Sequence, residues 1–465
     1  MCETTWMESE FGGVDLGDTR LNRRCQLLAA TLGAQSQSSI PAACGSWAET
    51  KAAYRFFDNP SVTMDSIMSP HQEASRERIA KEKVVILAQD TTELDFTHTR
   101  VESHLGTLSW DTRFGWLMHL SLALTPDRVC LGVVEAKVWT RDPNDPSKNC
   151  RRKKKPITEK ESLRWIEGYK RACAIADGAP ETKVVSVSDR EGDIYELFLE
   201  AAGGTADWVV RSCQTRRMSE KEPGKSRNYK KLLDHVAQQD VVGEVSFGLP
   251  GRGGRSARRV HQKVKAATVE LHPPYRKGTR LPPVTINAVL LREEESPDGV
   301  EPLEWLLLAS LPIENWPDIE FVVECYLCRW QIECFFKILK SGCRVERLQM
   351  ETPDRILPCL GLYLIIAWRI LHLTMLGRAC PDLPCTLVFG DAEWKAVTVV
   401  ESRKPPPDTP PSLGDMIKCI ARQGSYVGRR GDNHPGMVSI WTGLQRVMDY
   451  ARAWEAFGPE AHTYG

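Results

Sequence analysis

Six residues around position 330 combine acid, base and aromatic chemistry at helical spacing. At about 100° per residue, Tyr326, Arg329, Trp330, Glu333, Lys337 and Lys340 share one face, while Leu327, Ile332, Phe335, Ile338 and Leu339 form an apolar stripe opposite. A merely solvated face rarely gathers tyrosine, tryptophan and arginine around one glutamate. Two further carboxylates stand where strands are expected to end: Asp90 after Val84-Val85-Ile86-Leu87-Ala88, and Asp189 after Val184-Val185-Ser186-Val187. Acids in such places are also ordinary turn formers, so the pair gains meaning only beside Glu333. Three carboxylates flanked by arginine and lysine suit two divalent ions that activate water or a 3′-hydroxyl in phosphodiester displacement. Hard oxygen donors favour Mg²⁺, with Mn²⁺ as a substitute, over zinc. Arg329, Lys337 and Lys340 would then hold the phosphates. Glu93, Asp95, Glu191 and Asp193 are rival ligands, ranked behind Asp90 and Asp189 because the strand pattern selects those two first.

The elements that must carry these residues read as a mixed α/β chain. Residues 1–75 are helical: Asp18 caps a helix whose Leu21, Leu27, Leu28 and Leu32 recur near helical spacing, and Trp47 to Phe57 forms a second amphipathic helix. Arg20, Arg23 and Arg24 crowd the first turns, suited either to DNA backbone contact or to plain solvation. Residues 76–212 predict the order βββαβαβ, with strands at Val84–Asp90, Trp116–Leu124, Val129–Val138, Val184–Asp189 and Trp208–Val210. A basic run, Arg151 to Lys155, precedes the first helix of this stretch. Residues 213–312 alternate like an all-β insertion and include Arg252, Arg255, Arg258, Arg259, Lys263 and Lys265, a patch for phosphates or a solvated hairpin. Residues 313–378 resume the core with a long helix from Pro317-Asp318 to Ser341-Gly342 and a second from Pro353 to Arg378. Residues 379–465 add a proline-rich linker and helices at Leu413–Arg422 and Met437–Phe457.

Composition narrows the class. The 465 residues are 42% hydrophobic and 26% charged, which excludes a disordered or collagen-like chain. The 61 Lys and Arg balance 61 Asp and Glu, so any nucleic-acid contact must rest on local patches rather than net charge. Fifteen scattered cysteines, after a start (Met1-Cys2-Glu3-Thr4-Thr5-Trp6) without signal-peptide character, point to a reducing cytoplasm. Ile356–Met375 is apolar enough to suggest a membrane span but carries Arg369 and His372, which favours a buried core helix and no membrane partner. Cys325, Cys328, Cys334 and Cys343 resemble a zinc knuckle only in spacing; Cys328 falls on the buried side and no histidine pair follows, so packing is expected.

Tyr326-x2-Arg329-x3-Glu333-x6-Lys340 matches the YREK signature, and with Gln89-Asp90-Thr91-Thr92 and Ser188-Asp189-Arg190-Glu191-Gly192-Asp193 the chain resembles the DDE transposases of the bacterial insertion-sequence-4 family. Leu16-Gly17-Asp18, Ala53-Tyr54-Arg55-Phe56 and Pro302-Leu303-Glu304-Trp305-Leu306-Leu307-Leu308 extend the likeness over nearly the whole length. The resemblance implies an RNase H-like catalytic core interrupted by the β insertion, an N-terminal end-binding region and a C-terminal dimerisation region. It implies Asp90, Asp189 and Glu333 as the catalytic, metal-binding triad for two Mg²⁺ ions. Tyr326, Arg329 and Lys340 would grip phosphates, Arg190 and Arg211 would contact DNA, and Trp305 would hold a base flipped during hairpin formation, although a core tryptophan is the plain alternative. A homodimer would synapse two inverted-repeat ends and join them to target DNA at the bacterial nucleoid. A non-catalytic DNA-binding regulator and a stand-alone nuclease are the alternatives.

Overall fold

Helices dominate both ends of the chain and strands its middle. The computed structural model describes residues 6–142, 156–221, 229–249, 257–276, 278–297, 299–429 and 434–459. The basic run Arg151–Lys155 and two members of the second basic patch, Arg252 and Arg255, lie outside the described residues.

Five helices open the chain: α1 (Trp6–Phe11), α2 (Thr19–Ala34), α3 (Ile40–Cys44), α4 (Trp47–Phe57) and α5 (Met64–Ile79). The Asp18 carboxylate accepts the amide of Arg20, capping α2 as its sequence requires. The α2 stripe is Cys25, Leu28, Ala29 and Leu32; Leu27, expected within it, is 49% exposed, because the i, i+3, i+4, i+7 rhythm starts at Cys25 and leaves position 27 outside. Strands β1 (Val84–Asp95), β2 (Gly106–Thr107), β3 (Phe114–Leu124) and β4 (Cys130–Trp139) follow, then α6 (Leu163–Gly178), β5 (Lys183–Ser188), α7 (Tyr195–Ala201) and β6 (Asp207–Arg211). One expectation fails here: β1 does not end at Asp90 but runs five residues further, since the β-branched Thr91 and Thr92 prolong the extended backbone.

The stretch expected to be all-β contains β7 (Arg217–Lys221), β8 (Tyr229–Lys231), one helix, α8 (Leu232–Ala237), and then β9 (Gly243–Leu249), β10 (Arg258–Leu271), β11 (Val284–Glu293) and β12 (Glu304–Ala309). Leu232 and Val236, one turn apart, are both fully buried and account for the helix. The expected single helix up to Gly342 is three pieces: α9 (Trp316–Cys328), α10 (Trp330–Lys337) and a π turn over Ile338–Gly342. Two local causes break it. The Arg329 amide bonds Tyr326 O, a three-residue step, and the Cys343 amide bonds Ile338 O, a five-residue step. Four helices complete the chain: α11 (Pro353–Ala379), α12 (Asp391–Ser402), α13 (Leu413–Gln423) and α14 (Met437–Phe457).

The chain forms two compact units. One comprises Met1–Ile79, Thr91–Asp145 and Gln331–Gly465; the other comprises Ala80–Asp90 and Pro146–Trp330. In the first unit α11 is the centre: its apolar window is 89% buried, as expected of a core helix. Several of its polar residues find partners inside the unit. Trp368 Nε1 and His372 Nδ1 both reach Cys130 O at 2.9 Å, and Arg369 lies 3.7 Å from Glu393 and stacks over the Trp6 ring.

In the second unit the strands run in the order β1-β5-β6-β12-β11-β10-β7-β8, with β9 on β10. The pairs β1–β5 and β5–β6 are parallel; β6–β12, β12–β11 and β11–β10 are antiparallel. The stretch 213–312 therefore continues the sheet from the edge of β6. Trp165 and Tyr169 of α6 and Phe198 of α7, stacked 4.8 Å from Trp208, fill the core of this unit.

Candidate active site and its arginine cluster

The register of β1 on β5 decides where the first two acids stand. Val84 pairs with Lys183 and the offset holds through Ala88 and Val187. The paired register stops there: Asp90 follows two residues later, still within β1, and Asp189 follows two residues later, just past the end of β5, where it caps a short turn. A side-chain bond pins this register: Gln89 Nε2 donates to Ser186 Oγ at 2.7 Å, both side chains being buried. Gly168 of α6 lies directly over that bond, and a Cβ there would sit 2.1 Å from Gln89 Oε1, so only glycine lets α6 approach. Helix α6 therefore covers the glutamine face, and Asp90 looks the other way.

Toward Asp90 comes Arg329, the residue just past α9. Its Nη1 lies 3.1 Å from Asp90 Oδ2, the two side chains being 13% and 18% exposed. The Asp189 carboxylate accepts the amide of Glu191, which turns the chain into a short 3₁₀ turn over Arg190–Gly192. Around this pair the second unit gathers an aromatic and cationic cluster. The guanidinium of Arg329 is 5.7 Å from the Tyr326 ring, Tyr326 meets Trp305 edge-on at 5.2 Å, and Arg211 lies 5.9 Å over Trp305. Burial lowers the affinity of Arg211 for its proton; the charges of Arg190 and Arg329 push the same way while Tyr326 opposes them. Arg190 and Arg329 thus each bring positive charge against Arg211.

Trp305 is buried, 8% exposed, and Phe247 of β9 is stacked on it at 5.1 Å. The phenyl ring was not foreseen; the alternation of Val245, Phe247 and Leu249 on β9 was its only sequence signal. Glu333, Lys337 and Lys340 belong to the first unit. Glu333 is half-buried on α10, Lys337 is exposed, and Lys340 donates to Glu93 O and lies 3.7 Å from Glu346. Among the described residues no group of three or more His, Cys, Asp or Glu side chains able to hold a metal ion occurs.

The rival acids are occupied. Asp193 accepts the Ser212 hydroxyl at 3.0 Å, the amides of Cys213 and Gln214 at 2.8 Å, and the guanidinium of Arg216. Glu191 pairs with Arg164, Glu93 accepts the amide and hydroxyl of Ser109, and Asp95 holds Thr97 and, at 2.7 Å, Arg113. Cys325, Cys328 and Cys343 are buried, and burial pushes the Cys325 and Cys343 thiols far above their ordinary range.

The expected basic patch on β10 is largely spent inside the second unit. Arg258 grips Glu293, which holds that carboxyl below its ordinary value, and Lys263 lies 2.5 Å from Glu294; Arg259 remains exposed. The reason is the register of β10 on β11, which sets Gln262 beside Glu293 and Lys263 beside Arg292 and so carries the acids Glu293 and Glu294 along the basic strand. In the N-terminal helices Arg20 is 90% exposed and folds back on Asp18, Arg23 is exposed, and Arg24 pairs with Glu49 at 2.5 Å.

Three family models match consecutive parts of the chain. The transposase DNA-binding model matches residues 3–62, which include Arg20, Arg23 and Arg24. The transposase DDE domain model matches residues 135–368, which include Asp189 and Glu333 and begin after Asp90. The transposase Tn5 dimerisation domain model matches residues 365–456. With a DNA-binding domain before it, a dimerisation domain after it, and half of its length matched by the DDE model alone, this chain belongs to the family of transposases built on the DDE domain.

Proposed function

We propose that the chain is a cut-and-paste DNA transposase of the insertion-sequence-4 type, and that Tyr326, Arg329, Glu333 and Lys340 are its YREK residues. The observation that carries this reading is that Asp90 and Asp189 each follow the paired β1–β5 segment by two residues, with Arg329 3.1 Å from Asp90 and Arg211 close to Arg329 and Arg190. The DDE domain implies an RNase H-like core, and its third carboxylate is Glu333. The donor set suits Mg²⁺, or Mn²⁺ in its place, because hard carboxylates are the oxygen ligands such ions take. Asp90, Asp189 and Glu333 would hold two ions, which when bound supply a deprotonated nucleophile and charge neutralisation at the leaving oxygen.

The chain's own residues do the rest. Arg190, Arg211 and Arg329 fix the non-bridging phosphate oxygens by charge-assisted bonds, so the scissile bond lies over the aspartates. Tyr326 braces both Arg329 and Trp305. Lys337 and Lys340 hold phosphates further along the strand. A base extruded during hairpin formation stacks on Trp305 by taking the place of Phe247, the ring now on that face. Residues 1–75 recognise the inverted-repeat ends, 76–212 and 313–378 form the catalytic core around the insertion 213–312, and 379–465 pair two protomers into a synapse. The reaction takes place in the bacterial cytoplasm at the nucleoid.

Incubating the purified protein with end DNA, target DNA and Mg²⁺ tests the reading. A transposase gives double-strand cleavage and joins the 3′-hydroxyl to the target. Cut ends without joined product would make it a nuclease, and end binding without cleavage would make it a regulator.

A further inference from the structure

Arg329 Nη1 stands 3.1 Å from Asp90 Oδ2 and neutralises that carboxylate. The same guanidinium stands in the way of a metal ion. It brings a positive charge to 3.1 Å from Asp90 Oδ2 and occupies a ligand oxygen, in a setting where both side chains are mostly buried and the charge is poorly screened. The charge of Arg329 is also felt by Arg211, which lies nearby. A phosphate diester placed there offers Arg329 a better partner, since a guanidinium binds two phosphate oxygens at once.

We infer that Arg329 is an exchangeable counter-ion: it holds Asp90 until the DNA backbone takes it over, so that loading of the divalent cation is coupled to DNA binding. The inference rests on the metal-binding reading of Asp90 and Asp189 given above. Arg329 is the joint residue between α9 and α10, with its amide bonded to Tyr326 O and its guanidinium already near the Tyr326 ring. Linkage makes the effect reciprocal: DNA tightens metal binding by the factor by which metal tightens DNA binding. The nuclease centre is thereby assembled on DNA and kept unassembled without it.

Mn²⁺ titration of the full-length protein, read as free Mn²⁺ by electron paramagnetic resonance, tests this without measuring activity. Without DNA, Arg329→Ala and Arg329→Gln should bind Mn²⁺ about 5- to 150-fold more tightly than wild type, the usual span of coupling between linked sites. Arg329→Lys, which keeps the charge, should stay close to wild type. Adding a short duplex should tighten binding in wild type and change the alanine variant little. Circular dichroism and melting check that each variant is folded, and the glutamine variant retains most of the side-chain stem. Unchanged Mn²⁺ affinity in both neutral variants would overturn the exchange. Loss of Mn²⁺ binding on adding Asp90→Asn or Asp189→Asn to Arg329→Ala shows the ion at the two aspartates; if those substitutions leave it bound, the metal-binding reading itself falls.

Discussion

Glu10 of α1 and Asp90 of β1 both face an arginine, yet their surroundings differ in every other respect. Glu10 is 2% exposed and saturated: Arg78 donates two bonds at 2.7 and 3.2 Å, Ser9 one at 3.0 Å, and His71 Nδ1 one at 2.5 Å. His71 Nε2 accepts the amide of Val133, which fixes the ring proton on Nδ1 without any need for a charged imidazole. Arg78 itself donates to Leu131 O and lies 4.6 Å over Trp368. Asp90 is half-buried, and the charge of its arginine is felt by Arg211. A closed network turns an ion pair into structure. The Asp90–Arg329 pair is the one we propose to be exchanged for a phosphate and a metal ion.

That contrast breaks first on the chemistry. Asp90→Asn, Asp189→Asn and Glu333→Gln should each cut DNA cleavage by about a thousandfold or more, since metal-borne stabilisation amounts to several kcal/mol and about 1.4 kcal/mol is a decade in rate. End binding, followed by gel shift, should persist, and the melting temperatures of Asp189→Asn and Glu333→Gln should hardly move. A variant that cleaves at near wild-type rate removes that residue from the triad.

Glu10→Ala is the mirror experiment. It strands Arg78 and His71 in the core and should destabilise the fold by about 3–5 kcal/mol, the cost of breaking one side of a buried ion pair. Calorimetry should show the loss, while the cleavage rate of the folded fraction stays unchanged below the transition. A small stability change would mean that the network is not closed.

Trp305→Ala refines the open site. Base stacking is worth about 1–3 kcal/mol, so hairpin formation should slow by about 5- to 150-fold while the first nick proceeds normally. Tyr326→Phe keeps the ring and isolates the hydroxyl. Equal slowing of nick and hairpin on denaturing gels would assign Trp305 to packing alone, a role that its stacking on Phe247 already supports in this structure.

The smallest effect is in pH. Burial, the largest influence, lowers the His71 imidazole from its ordinary value of 6.5 and outweighs Glu10, so the unfolded chain takes up the proton first and stability falls as pH drops below about 6.5. For Glu10, burial alone would raise the carboxyl, but His71 and Arg78 together bring it down to about 2. Its contribution is therefore present above its ordinary 4.5 and lost as pH falls from there toward about 2. Melting temperatures taken between pH 8 and 5 should slope downward with acid, and His71→Asn should flatten the slope. An identical slope in the variant would assign the dependence to other groups.

Much of the helical architecture was legible because it is written between near neighbours. Asp18 as a cap, α4 and α14 at their expected bounds, and the buried character of α11 all follow from capping side chains and a 3.6-residue apolar rhythm. Helix α12 escaped notice because Gly390 offers no side chain as a cap, the Glu393 carboxylate accepting its amide instead. In the site, Asp90, Asp189, Tyr326 and Arg329 stood out by residue type and spacing, whereas Trp305 and Arg211 were suggested only by the family resemblance.

What the sequence by itself determined about this protein is the inventory and its local order: two acids after apolar runs, a polar helix face with Glu333, helices at both ends. Only the tertiary structure decided that β1 pairs with β5 in the register Ala88 with Val187, that β1 continues past Asp90, that Arg258 is consumed by Glu293 35 positions away, and that Phe247 covers Trp305. The physical reason is common to all of these. Strand pairing and side-chain partnering join residues remote in the chain, so their outcome depends on which faces are buried together and which charges meet there. No window of neighbouring residues carries that information.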